Sequence, residues 1–370
     1  MANVAAGCLT PEGKFDRAGW AGRRKEFSAR GGGLTVGKTH LPPRICVYED
    51  RAEAMDGLIL MGESLCAADK DISPHLTVPE APDSVRAWAR SRPEVVLSTS
   101  QPVGATGWDV KPWLLLQELS EGRQEVLWLD SDMIVTAPVS RILLDFPRDS
   151  LIFAEEWIRS KTSASQFWGL PSVRPVVLFN NCFIRVTQAH RPLLERWAQM
   201  TRDPRYREAQ ALPFERRPIE ARHDGWLLIA LLESEEFCDV PFDCIRLGRH
   251  IAQCAGSSGY RPTDRLLDLY RGLPPLIHGL GRKPWDATRG GSRIQRYLLD
   301  LATDVSPYVL AARRVARSLD MHEEWLEAHT SLGAILRGLT AGHPGMAGLP
   351  LAIPHAIFEK VGQIRRGNER

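Results

Sequence analysis

Two hydrophobic periods run along this chain. From residue 44 onward, short apolar runs rich in β-branched and aromatic residues read as strands: "RICVYED", "HLTV", "EVVLST", "VLWLDSDMIV", "LIFAEEW" and "VVLFNNCFIRV". Between them lie stretches with helical spacing. Met55, Leu58, Ile59 and Leu65 recur that way in "AEAMDGLILMGESL". "KPWLLLQELSEG" accommodates Pro112 in a first turn and stops near Gly122. "HRPLLERWAQM" and "HDGWLLIALLES" are amphipathic helix candidates. Strands alternating with helices predict a layered α/β fold, with a mixed, mostly parallel sheet and helices on both faces. Residues 1–40 carry no clear apolar period and predict a flexible leader. Residues 41–286 hold the α/β pattern, and 287–370 predict a mostly helical C-terminal extension.

Composition narrows the class without naming a function. An apolar fraction of 44% with 25% charged residues is that of an ordinary soluble globular protein. The net charge of +2 gives no general case for nucleic acid or membrane binding. Only eight of the 47 basic residues are lysine, a skew read as base composition rather than design for phosphate. The seven cysteines are scattered, without the close pairs of a zinc site, and are expected to be reduced. No apolar run reaches the ~20 residues needed to span a bilayer. With no signal-peptide core at the N-terminus, a cytoplasmic location is expected.

The candidate chemistry lies in three places. In "VLWLDSDMIV" the strand pattern puts Asp130 and Asp132 on one face, with Ser131 opposite. Two anions in an apolar setting resist desolvation unless a cation joins them. A hard divalent cation, Mg²⁺ or Mn²⁺, suits such a pair near the end of a strand, where ligands of parallel sheets sit. Phosphatases of the haloacid-dehalogenase type also carry Asp-x-Asp after an apolar strand, but here no later acidic signal accompanies it. The second place is "IHGLGRKPW", residues 277–285, where His278 offers an imidazole ligand and Lys283 a point charge for a diphosphate. The third is "GGLTVGKT", residues 32–39, a literal phosphate-loop match through Lys38 and Thr39. Its flanks, "RRKEFSARG" and the two prolines of "HLPPR", are neither buried strand nor helix start.

With "LFNNCFIRV" and "RHDGWLLIALL" added to these motifs, the chain resembles the GT-A glycosyltransferases. The nearest group is the retaining one that includes glycogenin and bacterial lipopolysaccharide galactosyltransferases. The resemblance covers roughly residues 44–286. It implies transfer of a sugar from a nucleotide-diphosphate sugar, with UDP the expected nucleotide, to an acceptor that the sequence does not name. Asp130, Asp132 and His278 would hold Mn²⁺ or Mg²⁺. Gly281 and Lys283 would serve the diphosphate, Asp50 the nucleoside, and Lys111 the donor. The family loop is one residue longer between Gly281 and Lys283.

Asn180 would line the sugar pocket, with Cys182 where the family has Gly. Asp224 would stand by the reacting carbon, with Gly225 in place of Gln, so retention or inversion stays open. Asp224 also reads as a helix N-cap, and Asn180 and Asn181 as groups satisfying a strand end. Trp113, Trp128 and Trp285 read as core, Trp285 being the one most suited to sugar stacking. Acceptor choice is assigned to 155–175, 200–222 and the C-terminal helices. A homo-oligomer is compatible with the sequence; a nucleic-acid partner is not expected. The competing functions are an NTPase built on residues 32–39 and a catalytically silent nucleotide-sugar binder.

Overall fold

The structure is a computed structural model that describes residues 43–367 except 102–103, 157–163, 257, 282, 286–291 and 322, with side chains to residue 358. The loop 32–39 and the expected leader lie outside the described residues. In chain order the strands are β1 (Arg44–Tyr48), β2 (Ser73–Thr77), β3 (Val96–Ser98), β4 (Glu125–Leu129) and β5 (Met133–Val135). β6 (Leu151–Glu155), β7 (Phe179–Thr187), β8 (Phe242–Ile245), β9 (Ile251–Cys254) and β10 (Leu276–Gly279) follow. Seven of them form one sheet in the order β3-β2-β1-β4-β7-β6-β8, and three form a second, β5-β10-β9. In the large sheet only β7 runs against its neighbours.

Strand alternation explains why both faces are buried. Cys46, Tyr48, Val126 and Trp128 point to one face, under helices Lys111–Ser120, Arg191–Met200 and Gly225–Glu233. Ile45, Val47, Leu127 and Leu129 point to the other, under helices Met55–Ala68 and Asp83–Arg90. β1 and β4 therefore read as near-continuous apolar runs, the mark of strands covered on both sides.

The apolar run 126–135 is not the single strand its pattern predicts. β4 ends at Leu129, Asp130–Ser131–Asp132 turn, and β5 enters the second sheet. The shared-face expectation for the two aspartates therefore does not apply. The break has a physical source. β5 finds its ladder on β10, where Ile277 pairs Ile134 and His278 pairs Met133. Glu49 meanwhile accepts the Ser131 hydroxyl at 2.5 Å and fixes the turn between the sheets.

Among the described residues, everything after 292 that is regular is helical: Arg293–Asp304, Pro307–Ser318, Ser331–Leu339 and Leu349–Gly367. Helix Pro307–Ser318 shares a core with the second sheet, with Tyr308, Val309 and Ala312 packing among Leu60, Ile134 and Ile277. None of the described helices is long and apolar enough to cross a membrane.

Candidate active site

β1 and β4 lie side by side and parallel, and β1 continues to β2 on its other side. The carboxyl ends of β1 and β4 therefore flank the crevice at which α/β sheets take ligands. Glu49 and Asp50 follow β1; Asp130 follows β4. The second sheet delivers the remaining side chains. Antiparallel pairing of β10 with β5 sets His278 beside Met133, and the Gly279 N–H donates to the Asp132 carbonyl at 3.0 Å. Register, not sequence distance, joins the two motifs.

Asp130, Asp132 and His278 each offer a ligand atom, all within 4.8 Å of one another. Asp132 and His278 are buried, while Asp130 has a quarter of its side chain exposed. Lys111 Nζ lies 3.0 Å from Asp130 Oδ1, which also accepts from Trp128 Nε1 at 2.6 Å. Burial alone would push Lys111 toward its neutral form; Asp130 and Asp224 more than offset it and hold the ammonium. Burial likewise opposes ionisation of Asp132, but Lys283 and His278 hold its carboxyl well below the usual carboxylate range. Lys283 pairs directly with Asp132 Oδ2 and donates to the Gly279 carbonyl at 2.5 Å.

The donor set can be tested against a divalent ion. Asp132 Oδ1 is buried and makes no regular hydrogen bond, with His278 Nε2 3.2 Å away. A desolvated carboxylate oxygen without a partner is costly. Two carboxylates and an imidazole around such an oxygen fit Mg²⁺ or Mn²⁺, which take a few protein ligands and leave the rest to water and phosphate. Asp130, Asp132 and His278 therefore fit the ion.

Around this cluster the expected residues divide. Asp50 is exposed at the end of β1 and accepts from Tyr48 Oη at 3.1 Å and the Gly107 N–H at 3.0 Å. Gly281 has φ +71°, a conformation favouring glycine, and open space where a Cβ would stand. Asp224 is fully buried at the start of helix Gly225–Glu233, yet its side chain makes no cap hydrogen bond and accepts from Asn181 Nδ2 at 2.9 Å. Burial pushes its carboxyl up to about 7, against the pull of Lys111 and Asn181. Asn180 turns elsewhere, donating to Glu156 at 3.1 Å and accepting the Cys182 N–H at 2.9 Å.

The register of β7 against β6 slips in this stretch, from Phe153↔Ile184 to Ala154↔Asn180. Such a bulge re-aims side chains. Asn181 is the one joined to Asp224, and its carbonyl also accepts from Lys111 at 3.2 Å. Trp285, the tryptophan most suited to stacking by sequence, packs against Tyr308 and Trp325.

Sequence reasoning missed Glu49, Arg51 and the contact role of Asn181. Glu49 is buried and takes the Arg51 guanidinium in a fork at 2.8 and 2.7 Å as well as the Ser131 hydroxyl. Its signal was present: a second acid directly before Asp50, followed by a cation, at the end of an apolar strand.

No family model matches the chain, and no curated protein matches it. Solved structures do. The galactosyltransferase LgtC, in complex with donor and acceptor sugar analogs, is 16% identical over 76% of this chain and 98% of its own, with a TM-score of 0.45. The glycosyltransferase GlyE of Streptococcus pneumoniae is 15% identical over 75% of this chain and 64% of its own, with a TM-score of 0.43. The bifunctional glycosyltransferase WbbM is 14% identical over 69% of this chain, with a TM-score of 0.42. The chain spans about half the length of WbbM (48%) and just under two thirds of GlyE. These three structures are described as glycosyltransferases.

Proposed function

We propose that the chain is a glycosyltransferase that moves a sugar from a nucleotide-diphosphate sugar, UDP in the first instance, to an acceptor hydroxyl. The observation that carries this reading is the Asp130–Asp132–His278 cluster, with its unsatisfied buried oxygen, at the β1/β4 crevice between two lysines. A divalent ion bound there supplies Lewis-acid neutralisation of the departing diphosphate. The chain's own residues do the rest. Lys283, on the loop with Gly281, brings a second positive charge to the same diphosphate. At Gly281 the backbone leaves room for a phosphate to approach. Asp50 faces solvent at the strand end and accepts hydrogen bonds from the nucleoside.

Lys111 fixes Asp130 and the Asn181 backbone in one contact. Asn181 in turn orients Asp224. A carboxyl that titrates near neutrality is suited to receiving the proton of the incoming hydroxyl. In this reading residues 41–286 carry the catalysis and 287–370 are an appended helical segment.

The test is turnover of UDP-hexoses, read as UDP release, with Mn²⁺ and with EDTA. Release that needs the metal and disappears in Asp132→Asn is expected. Release unaffected by both would remove the cluster from the reaction.

A further inference from the structure

Near the start of the helix that carries Lys111, two large aromatic rings face water. Trp108 is 48% exposed and Phe214 44% exposed, and they meet edge to face with centroids 6.4 Å apart. Trp108 sits in the turn Gly107–Val110, one turn ahead of Lys111, and the Gly107 N–H is bound to Asp50. Trp108 also stands edge to face with His223 at 6.1 Å, and His223 leans on Trp226 at 6.3 Å.

His223 precedes Asp224, so an unbroken chain of contacts leads from it to the cluster. Asp224 takes the Asn181 side chain, the Asn181 carbonyl takes Lys111, and Lys111 takes Asp130. Gly225 makes this arrangement possible. A Cβ there would lie 3.1 Å from His223 Nδ1 and 3.2 Å from Asn181 Nδ2. The imidazole thus occupies space that any other residue at 225 would contest.

Two facts about this ring point to a ligand. Among the described residues neither nitrogen makes a hydrogen bond, although the ring is at least half-buried against aromatic neighbours. It is also neutral: burial, and then Lys111, push its pKa down to about 4. A neutral imidazole offers one donor and one acceptor. The exposed indole of Trp108 beside unspent imidazole nitrogens is the chemistry of a small-ligand site, and Arg217 and Arg222 lie over the Phe214 ring at 5.8 and 5.6 Å as further donors at its edge. A pyranose ring matches both halves, with an apolar C–H face for the indole and hydroxyls at its rim for the imidazole.

We infer that Trp108, Phe214 and His223 form the acceptor subsite and that its occupant is a pyranose, stacked on Trp108 with a hydroxyl on His223. This rests on the glycosyltransferase reading only for calling that sugar the acceptor; its binding is measurable without turnover.

The experiment is saturation-transfer NMR on the full chain with UDP and Mn²⁺ present, using the methyl glycosides of glucose, galactose and mannose. Ring-proton signals are expected from at least one of them. Trp108→Ala should weaken that glycoside about tenfold or more, a loss of ~1.4 kcal/mol, while Trp108→Phe keeps most of the affinity. His223→Ala should bring the epimers' affinities together, and His223→Gln should restore a difference between them. UDP affinity should stay within about twofold of native in all four variants, which also reports that they are folded.

The inference is overturned if no glycoside binds, if Trp108→Ala binds as the native chain does, or if UDP displaces the glycoside and so marks Trp108 as a nucleobase platform. Absence of UDP binding with glycoside binding intact would instead refute the donor reading and leave the sugar subsite standing.

Discussion

Replacing Asp224 by Asn removes one proton-binding site and little else. The new side chain retains an oxygen for Asn181 Nδ2. The native carboxyl, 1% exposed, is pushed up to about 7, chiefly by burial, with Lys111 and the Asn181 hydrogen bond opposing. In the unfolded chain an aspartate titrates near ~3.9. Between these values the folded protein binds a proton that the unfolded chain does not, so stability falls as pH rises. The slope is ~1.4 kcal/mol per pH unit over about three units, or ~4 kcal/mol in all.

This loss is absent below about pH 4 and complete above about pH 7. Asp224→Asn cannot suffer it. The variant's stability minus the native chain's should therefore climb by ~4 kcal/mol from pH 4 to pH 8 and then level off. Urea titrations followed by tryptophan fluorescence at unit pH steps measure the difference directly. A flat difference would mean instead that Asp224 is ionised throughout, with the Lys111 charge outweighing burial.

Two further substitutions test the packing that positions the site. Lys111→Met leaves Asp130 without its buried cation and the Asn181 carbonyl without its donor; a loss of ~2 kcal/mol is expected in urea, below the usual cost for a broken buried pair because Asp130 is partly exposed. Gly62→Ala lies inside helix Met55–Ala68, where such a change ordinarily gains up to ~1 kcal/mol. Here the new Cβ would stand 2.3 Å from the Trp88 ring, so a net loss of ~1–3 kcal/mol is expected, reversed in sign when Trp88→Leu is added.

The parts of this molecule legible in sequence are those that one local period encodes. β1, β7 and the helices at 55–68, 111–120, 191–200 and 225–233 all fall on their patterned segments. The break at Asp130 was not legible, because β4 and β5 are equally apolar and only the distant β10 decides where the second sheet starts. Asn181 rather than Asn180 contacts Asp224 because β7 bulges against β6, and a register slip leaves no trace in composition.

His223 hid behind Asp224: its meaning depends on Gly225, which in sequence reads only as a lost side chain. Lysine usage held a usable clue. In a chain with eight lysines, two of them, Lys111 and Lys283, pair with the two aspartates of one turn.

In the proposed function, Asp130, Asp132 and His278 bind a nucleoside diphosphate through a divalent ion. The most direct measurement is calorimetric titration with UDP, with and without Mn²⁺, on the native chain, on Asp132→Asn and on a chain lacking residues 1–40. Mn²⁺-dependent binding that Asp132→Asn abolishes and the truncation keeps is expected. Binding indifferent to Asp132 but lost on truncation would contradict the proposed function and place the nucleotide on the loop 32–39.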